Sequence, residues 1–269
     1  MIEAGTVDHR DLRLSWRAQG TGPPVLLLQG TGEVSASFDP LVATLWDRFR
    51  CVATDARDTG SSSRAIADYS VAELAADAAA IIDELELGAC HVIGFSLGGA
   101  TAMELALARP ELVRSLVLLS TWGRSDRYMR AQMRNWQLIR RATVGDERAF
   151  LAALNPWMFS PVTLEDRERM RAIGSTWLEE PLQEPEAFLR QTVADAGHDA
   201  LERLGGIEAP ALVIVGEDDI CTPPRLAMQL VHEIPDARLA LIPNAGHCAI
   251  YERPDEVHAV IGTFLDARA

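Results

Sequence analysis

Residues 91–102, His-Val-Ile-Gly-Phe-Ser-Leu-Gly-Gly-Ala-Thr-Ala, constrain this chain more than any other stretch. An apolar run ends in Gly94-Phe95-Ser96-Leu97-Gly98, and an Ala-rich helical segment, Leu97 to Arg109, follows without a gap. The pattern predicts a strand, a turn of almost no length, and a helix. Turning so sharply holds the central residue in strained backbone geometry, which small neighbours permit. Gly94 and Gly98 are those neighbours, and Ser96 is left at the apex. Its hydroxyl sits at a helix N-terminus, where free N–H groups favour a developing negative charge. Gly-x-Ser-x-Gly alone is a common string; the strand before it and the helix after it give it meaning.

Such a turn needs a sheet to belong to, and the chain supplies one. Leu12 to Arg17 alternates apolar and polar residues, as an edge strand does. Val25–Leu28 and Cys51–Thr54 are apolar without alternation, which suits parallel strands covered on both faces. Further strands are expected at Leu116–Ser120, Ala211–Val215 and Arg238–Ile242. Helices fall between them. One starts at Asp39-Pro40, with Phe38, Leu41, Val42, Leu45, Trp46 and Phe49 on one face. The next has a capping box of Ser70 and Glu73 and buries Leu74, Ala78, Ile81, Ile82 and Leu85. Two more are expected at Pro224–Ile234 and Pro254–Leu265. Strand alternating with helix predicts an α/β fold, a mostly parallel central sheet flanked by helices.

The alternation stops after Thr121. From Trp122 to Leu204 the pattern is helical, with helices expected at Arg127–Thr143, Glu147–Leu154, Leu164–Leu178 and Pro185–Leu204. Asn155-Pro156, Ser160-Pro161, Glu180-Pro181 and Glu184-Pro185 interrupt them. Residues 1–121 and 206–269 are therefore expected to form one core, and 122–205 an inserted helical lid. A chain of 269 residues has room for both.

The 25 basic residues against 39 acidic ones leave a net charge of −14, which argues against nucleic acid and anionic membranes as partners. Cys51, Cys90, Cys221 and Cys248 show no Cys-x-x-Cys or metal-finger spacing and read as free thiols in a reducing cytoplasm. The first residues contain no apolar signal region, and no run approaches a membrane span. A cytoplasmic location is expected, and a homodimer is compatible with the sequence.

A serine hydroxyl needs a base to take its proton and an acid to orient that base. His9 and His258 sit in polar terminal contexts, His198 and His232 within helical patterns, and His91 at the wrong end of its strand. His247 follows Pro243-Asn244-Ala245-Gly246 directly after a strand. It therefore stands outside a strand's carboxyl end, as Ser96 does and as sites in open parallel sheets do. The strand Ala211–Val215 ends in Gly216-Glu217-Asp218-Asp219, which places carboxylates at another carboxyl end. Asp219 is the expected acid, with Glu217 and Asp218 near enough to compete.

These residues give the chain a resemblance to the α/β-hydrolase fold superfamily over nearly its whole length. Ser96 falls on the nucleophile position, Asp219 on the acid of the Gly-x-x-Asp loop, and His247 on the base of Asn-x-Gly-His. Asp55, Arg57, Gly60 and Ser62 resemble the family's Asp-x-Arg-x-x-Gly-x-Ser loop, with Asp58 where Gly is usual. The nearest subgroup resembles small bacterial enol-lactonase and ester hydrolases with a helical lid. The resemblance implies hydrolysis of a small carboxylic ester or lactone through an acyl-enzyme, with no metal or cofactor. It also implies that the Thr31 and Leu97 N–H groups form the oxyanion hole. Gln29-Gly30 stands where the family commonly has His-Gly, so Gln29 is expected to alter that loop or to touch substrate. Serine rather than aspartate at the turn argues against dehalogenase and epoxide hydrolase chemistry. C–C bond hydrolysis, a lyase reaction, or a small-molecule receptor of hydrolase ancestry stay open on the same residues.

The insertion is rich in large apolar residues. Trp122, Trp136 and Trp157, with Met133, Met158, Phe159 and Trp177, are expected to line a closed, largely apolar pocket above Ser96. Arg124, Arg127, Arg130 and Arg134 begin the same segment, and one of them reaching inward would clamp a substrate carboxylate.

Overall fold

A computed structural model describes residues 2–177 and 182–269. The apolar runs pair into one eight-stranded sheet of order β1-β2-β4-β3-β5-β6-β7-β8. Its strands are β1 (Ile2–His9), β2 (Leu12–Gln19), β3 (Pro24–Leu28), β4 (Arg50–Thr54), β5 (Cys90–Phe95), β6 (Val113–Leu119), β7 (Ala211–Gly216) and β8 (Ala237–Ile242). From β4 to β8 all pairings are parallel; β1 and β2 add an antiparallel edge. Sequence patterning missed β1, because its residues are mostly exposed and carry no apolar stripe. A two-residue turn with Arg10 at φ 54° joins it to β2.

The central strands are apolar throughout because successive residues face two different layers. Leu27, Ala53, Ile93 and Val117 point into one cluster, with residues of α1 (Asp39–Leu45) and the C-terminal helix. Leu26, Val52, Val92 and Leu116 point into the other, against α2 (Val71–Glu84) and α3 (Leu97–Ala108). Trp46 departs from expectation: α1 ends at Leu45, and the Trp46 ring is left 45% exposed.

Between β6 and β7 lie α4 (Arg127–Ala142), α5 (Glu147–Met158), α6 (Pro161–Glu165), α7 (Arg167–Trp177) and α8 (Pro185–Gly197). Their Met129, Met133, Trp136, Phe150 and Phe188 belong to the same cluster as Leu27 and Ile93, so insertion and sheet share one core. Three helix boundaries differ from the sequence pattern. α5 runs through Pro156 to Met158, since a proline in the last turn forfeits little of the ladder. The helix expected at Leu164–Leu178 is broken at Asp166 into α6 and α7, and Leu178 lies outside the described residues. α8 stops at Gly197, well short of Leu204. There Ser125 N–H donates to His198 O and Ala200 N–H to Gly123 O, tying the segments that enter and leave the insertion. A 3-10 turn at Leu201–Gly206 follows. The remaining helices are α9 (Pro224–Glu233), α10 (Ala249–Glu252) and α11 (Pro254–Asp266). Among the described residues, no helix is long and apolar enough to cross a membrane.

Candidate active site

Ser96 occupies the turn between β5 and α3 with φ 52° and ψ −115°, a conformation that L-residues adopt only under constraint. The constraint is steric. A Cβ at Gly98 would strike the Leu28 carbonyl, and one at Gly94 would strike the Gly98 carbonyl, so the helix lies directly on β3 and β5. Ser96 N–H donates to Leu119 O at 2.9 Å, and Thr121 Oγ1 donates to Ser96 O at 2.8 Å. The side chain is thus the free part of a fixed backbone.

His247 arrives from the loop after β8, and its Nε2 lies 3.1 Å from Ser96 Oγ. Its Nδ1 lies 3.1 Å from Asp219 Oδ2. Asp219 is itself pinned: Oδ1 accepts from the N–H groups of Cys221 and Thr222, both at 2.8 Å, and Oδ2 accepts from Thr222 Oγ1 at 2.8 Å. Glu217 is exposed and Asp218 half-buried; neither reaches the histidine. The structure therefore brings Ser96, His247 and Asp219 into one chain of hydrogen bonds, all three nearly inaccessible to solvent. Burial opposes charge on His247, but the Cys221 sulfur and the Asp219 carboxylate beside it favour charge and hold its pKa well above the ordinary histidine range. Burial also raises the pKa of the Cys221 thiol.

Two residues beyond those expected hold the histidine loop. Gly246 N–H donates to Glu252 Oε1 at 2.7 Å, while Glu252 Oε2 accepts from Ser160 N–H at 2.9 Å and Ser160 Oγ at 2.7 Å. Cys248 N–H also donates to Met158 O at 2.9 Å. One fully buried acid thus joins the loop carrying His247 to the α5–α6 junction of the insertion. Nothing in the sequence around Glu252 marks it, since Ser160, one of its partners, is remote along the chain and the other, Gly246, offers only a backbone group.

The loop after β3 faces Ser96 from the other side. Among the described residues, no hydrogen bond takes up the Thr31 or Leu97 N–H, which leaves both available as donors. Gln29 does not contribute to this face. Its Nε2 donates to Thr59 Oγ1 at 3.1 Å, and the side chain lines a small internal cavity with Leu28, Leu74 and Thr101. The expectation of substrate contact by Gln29 fails because, just after β3, its side chain is held against Thr59. Glu33 closes the loop instead: Oε2 accepts from Gly30 N–H at 3.0 Å and Oε1 from Tyr251 OH at 2.8 Å. Burial raises the Glu33 pKa against those two hydrogen bonds.

Of the aromatic residues expected over the serine, Trp122 is fully buried with Nε1 donating to Ser125 Oγ at 2.8 Å. Trp136 is buried in the shared cluster with Nε1 unpartnered, and Trp157 packs half-buried against it. The ring beside the histidine is Phe95, 5.2 Å from His247 between centroids; Tyr251 packs edge-on against Phe95, and Trp177 edge-on against Tyr251. No arginine of the 124–134 cluster reaches inward. Arg124 pairs with Asp199 and Glu202 at the surface, and Arg127, Arg130 and Arg134 are exposed. An acid of the insertion does face inward. Asp195, on α8, accepts from Thr31 Oγ1 at 2.8 Å, and burial pushes its pKa up to about 7. Its signal in the sequence was a helical stripe, Phe188, Gln191, Thr192 and Asp195, polar where a buried face should be apolar.

Asp58, where the resemblance expects glycine, has φ 71° and is fully buried. Its carboxylate takes Arg190 of α8 in a two-pronged pair at 2.7 and 2.9 Å, and its carbonyl accepts from Gln183 Nε2 at 3.0 Å. The departure thus fastens the insertion to the core. Among the described residues, no group of His, Cys, Asp or Glu is arranged to hold a metal ion.

Residues 23–254 match the family model of the alpha/beta hydrolase fold. The chain is 31% identical to the protein named "Putative carbamate hydrolase RutD" of Azorhizobium caulinodans, over 91% of this chain and 92% of that one. Rv0554 of Mycobacterium tuberculosis superposes with a TM-score of 0.86 at 29% identity, covering 96% of this chain and 94% of that one. A thermophilic esterase from Thermogutta terrifontis superposes with a TM-score of 0.85 at 25% identity, covering 98% of each chain. With this sheet order, this serine turn and these matches, the chain is an enzyme of the alpha/beta hydrolase family.

Proposed function

We propose that the protein is a serine hydrolase of small carboxylic esters or lactones that works through an acyl-enzyme. The observation that carries this reading is the unbroken hydrogen-bond chain Ser96–His247–Asp219, with 3.1 Å at both links of the histidine. Ser96 Oγ attacks the acyl carbonyl as His247 Nε2 takes its proton. His247 then protonates the departing alcohol, and a water repeats the sequence to release the acid. Asp219 fixes the imidazole tautomer and stabilises its cation. The Thr31 and Leu97 N–H groups stabilise the oxyanion from a site closed to water, where such donors are worth most. The helices between β6 and β7 serve as the lid that closes it.

Carbamate and ester carbonyls are attacked in the same way, so the relative's name is compatible with this mechanism. Turnover of an ester, lactone, carbamate and β-diketone panel ranks these substrates; binding without turnover of any would mean a receptor. Ser96→Ala is expected to lower kcat on the order of a million-fold, since the members of such a triad act as a unit. A fluorophosphonate should label the wild-type protein once, at Ser96. Substantial turnover by the alanine variant would overturn the mechanism.

A further inference from the structure

The two buried acids beside the site are not alike. Both oxygens of Glu33 are occupied, by Tyr251 OH and Gly30 N–H. Asp195 uses only Oδ2, on the Thr31 hydroxyl; its Oδ1 is buried and has no partner among the described residues, in a residue only 1% exposed. No ion pair reaches this carboxyl among the described residues. Its backbone is held firmly, because Ser125 Oγ donates to Asp195 O at 2.5 Å and is itself held by Trp122. One helical turn earlier, Gln191 Oε1 accepts from Gly32 N–H at 2.9 Å, so this face of α8 lies against the loop beside Ser96. The positive charge of His247 lowers the Asp195 pKa, against the larger effect of burial. A second acceptor points the same way. Gln132 of α4 donates to Cys221 Sγ beside His247, and its Oε1 is also buried without a donor.

A buried acceptor with no donor destabilises the fold, and burial pushes this carboxyl up to about 7 despite the Thr31 hydrogen bond and the charge of His247. Supporting Thr31 does not explain it, since an asparagine oxygen would accept that hydroxyl equally well. We propose that Asp195 is a specificity-determining residue, accepting a hydrogen bond from a hydroxyl, amino or ammonium group on the carbon beside the substrate's scissile carbonyl. The position follows from Thr31: its N–H holds the carbonyl oxygen in the proposed mechanism, and its hydroxyl holds Asp195. The inference rests on that hydrolase reading.

The test compares kcat/KM for methyl propanoate, methyl lactate and methyl alaninate, each divided by its rate with hydroxide to remove intrinsic reactivity. In the wild-type protein the lactate or alaninate ester should lead propanoate by about tenfold, as a charge-assisted hydrogen bond would give. A lead confined to alaninate identifies ammonium as the donor; a lead shared by lactate identifies a neutral one. Asp195→Asn keeps an acceptor for Thr31 but turns an N–H toward the substrate, so the lead should vanish or invert, whatever the absolute rates. A wild-type ratio near one, or a ratio that survives Asp195→Asn, overturns the proposal. Calorimetric binding of lactamide against propanamide to Ser96→Ala reads the same preference without turnover. Equal binding there, with fluorophosphonate still labelling wild-type Ser96, sinks the Asp195 assignment alone. Failure of the labelling sinks the hydrolase reading instead, and lactamide preference then still decides the subsite.

Discussion

At the residue scale, His247 must be neutral to accept the Ser96 proton, so activity rises as pH climbs through its pKa. Its neighbours favour the cation, which puts that pKa well above the ordinary histidine value of about 6.5. The acid limb of kcat/KM should therefore have its midpoint above 6.5. Burial pushes the Asp195 carboxyl up to about 7 as well, so the limb must be assigned by substitution. In Asp219→Asn the carboxylate's support is gone and burial, which disfavours the cation, dominates; the residual activity should show its midpoint moved down. A wild-type midpoint at or below 6.5, unmoved by Asp219→Asn, would contradict the geometry as read. Ser96, His247 and Asp219 could be picked out as candidates in the sequence because each lies shortly after a strand's carboxyl end and carries its own short string of glycine and polar residues. Asp195 was not, because an acid inside a helix reads as solvent-facing until the packing of α8 against residues 30–32 is known. The arginines from 124 to 134 failed for the converse reason: basic residues on an exposed helix face need no inward partner.

At the scale of elements, two buried acids connect the insertion to the catalytic side of the sheet, and neither was foreseeable. Asp58 takes Arg190 from α8, and Glu252 joins Ser160 to Gly246. Strand and helix order could be read because apolar runs and helical stripes are local signals. The end of α8 could not, since contacts remote in sequence decide it: His198 O and Gly123 O take N–H groups across the mouth of the insertion. Glu252→Gln tests the second link. Glutamine offers one acceptor where two are needed and turns an N–H toward a backbone donor. An unsatisfied buried group costs about 1–3 kcal/mol. At roughly 2–4 °C per kcal/mol for a chain approaching this size, Tm should fall by several degrees. The His247 loop should also lose its position, lowering kcat by about tenfold or more. A variant with wild-type Tm and kcat would show that the loop is held by other contacts.

At the scale of the whole molecule, the resemblance to hydrolases suggests a lid that could move as a separate body, whereas the packing makes one core. Met133, Trp136, Phe150 and Phe188 of the insertion share a continuous apolar cluster with Leu27, Ile93 and Val117 of the sheet. Removing either partner would expose the other, so the insertion lacks a core of its own to melt from. Four of the six tryptophans, Trp122, Trp136, Trp157 and Trp177, lie at or within the insertion, and Trp16 and Trp46 lie outside it. Tryptophan fluorescence therefore reports mainly on the insertion, while far-ultraviolet circular dichroism reports on every helix and strand. Coincident transitions by the two probes are the mark of all-or-none unfolding. Thermal unfolding should accordingly give one midpoint by both methods. Asp58→Gly, which restores the glycine of the resemblance and relieves the φ of 71°, removes the partner of Arg190. It should shift both transitions down together, because a weaker fastening of a shared core weakens the whole. Fluorescence melting well before the dichroism, in the wild type or in Asp58→Gly, would mean that the insertion opens independently and that the enclosure around Ser96 is a gate.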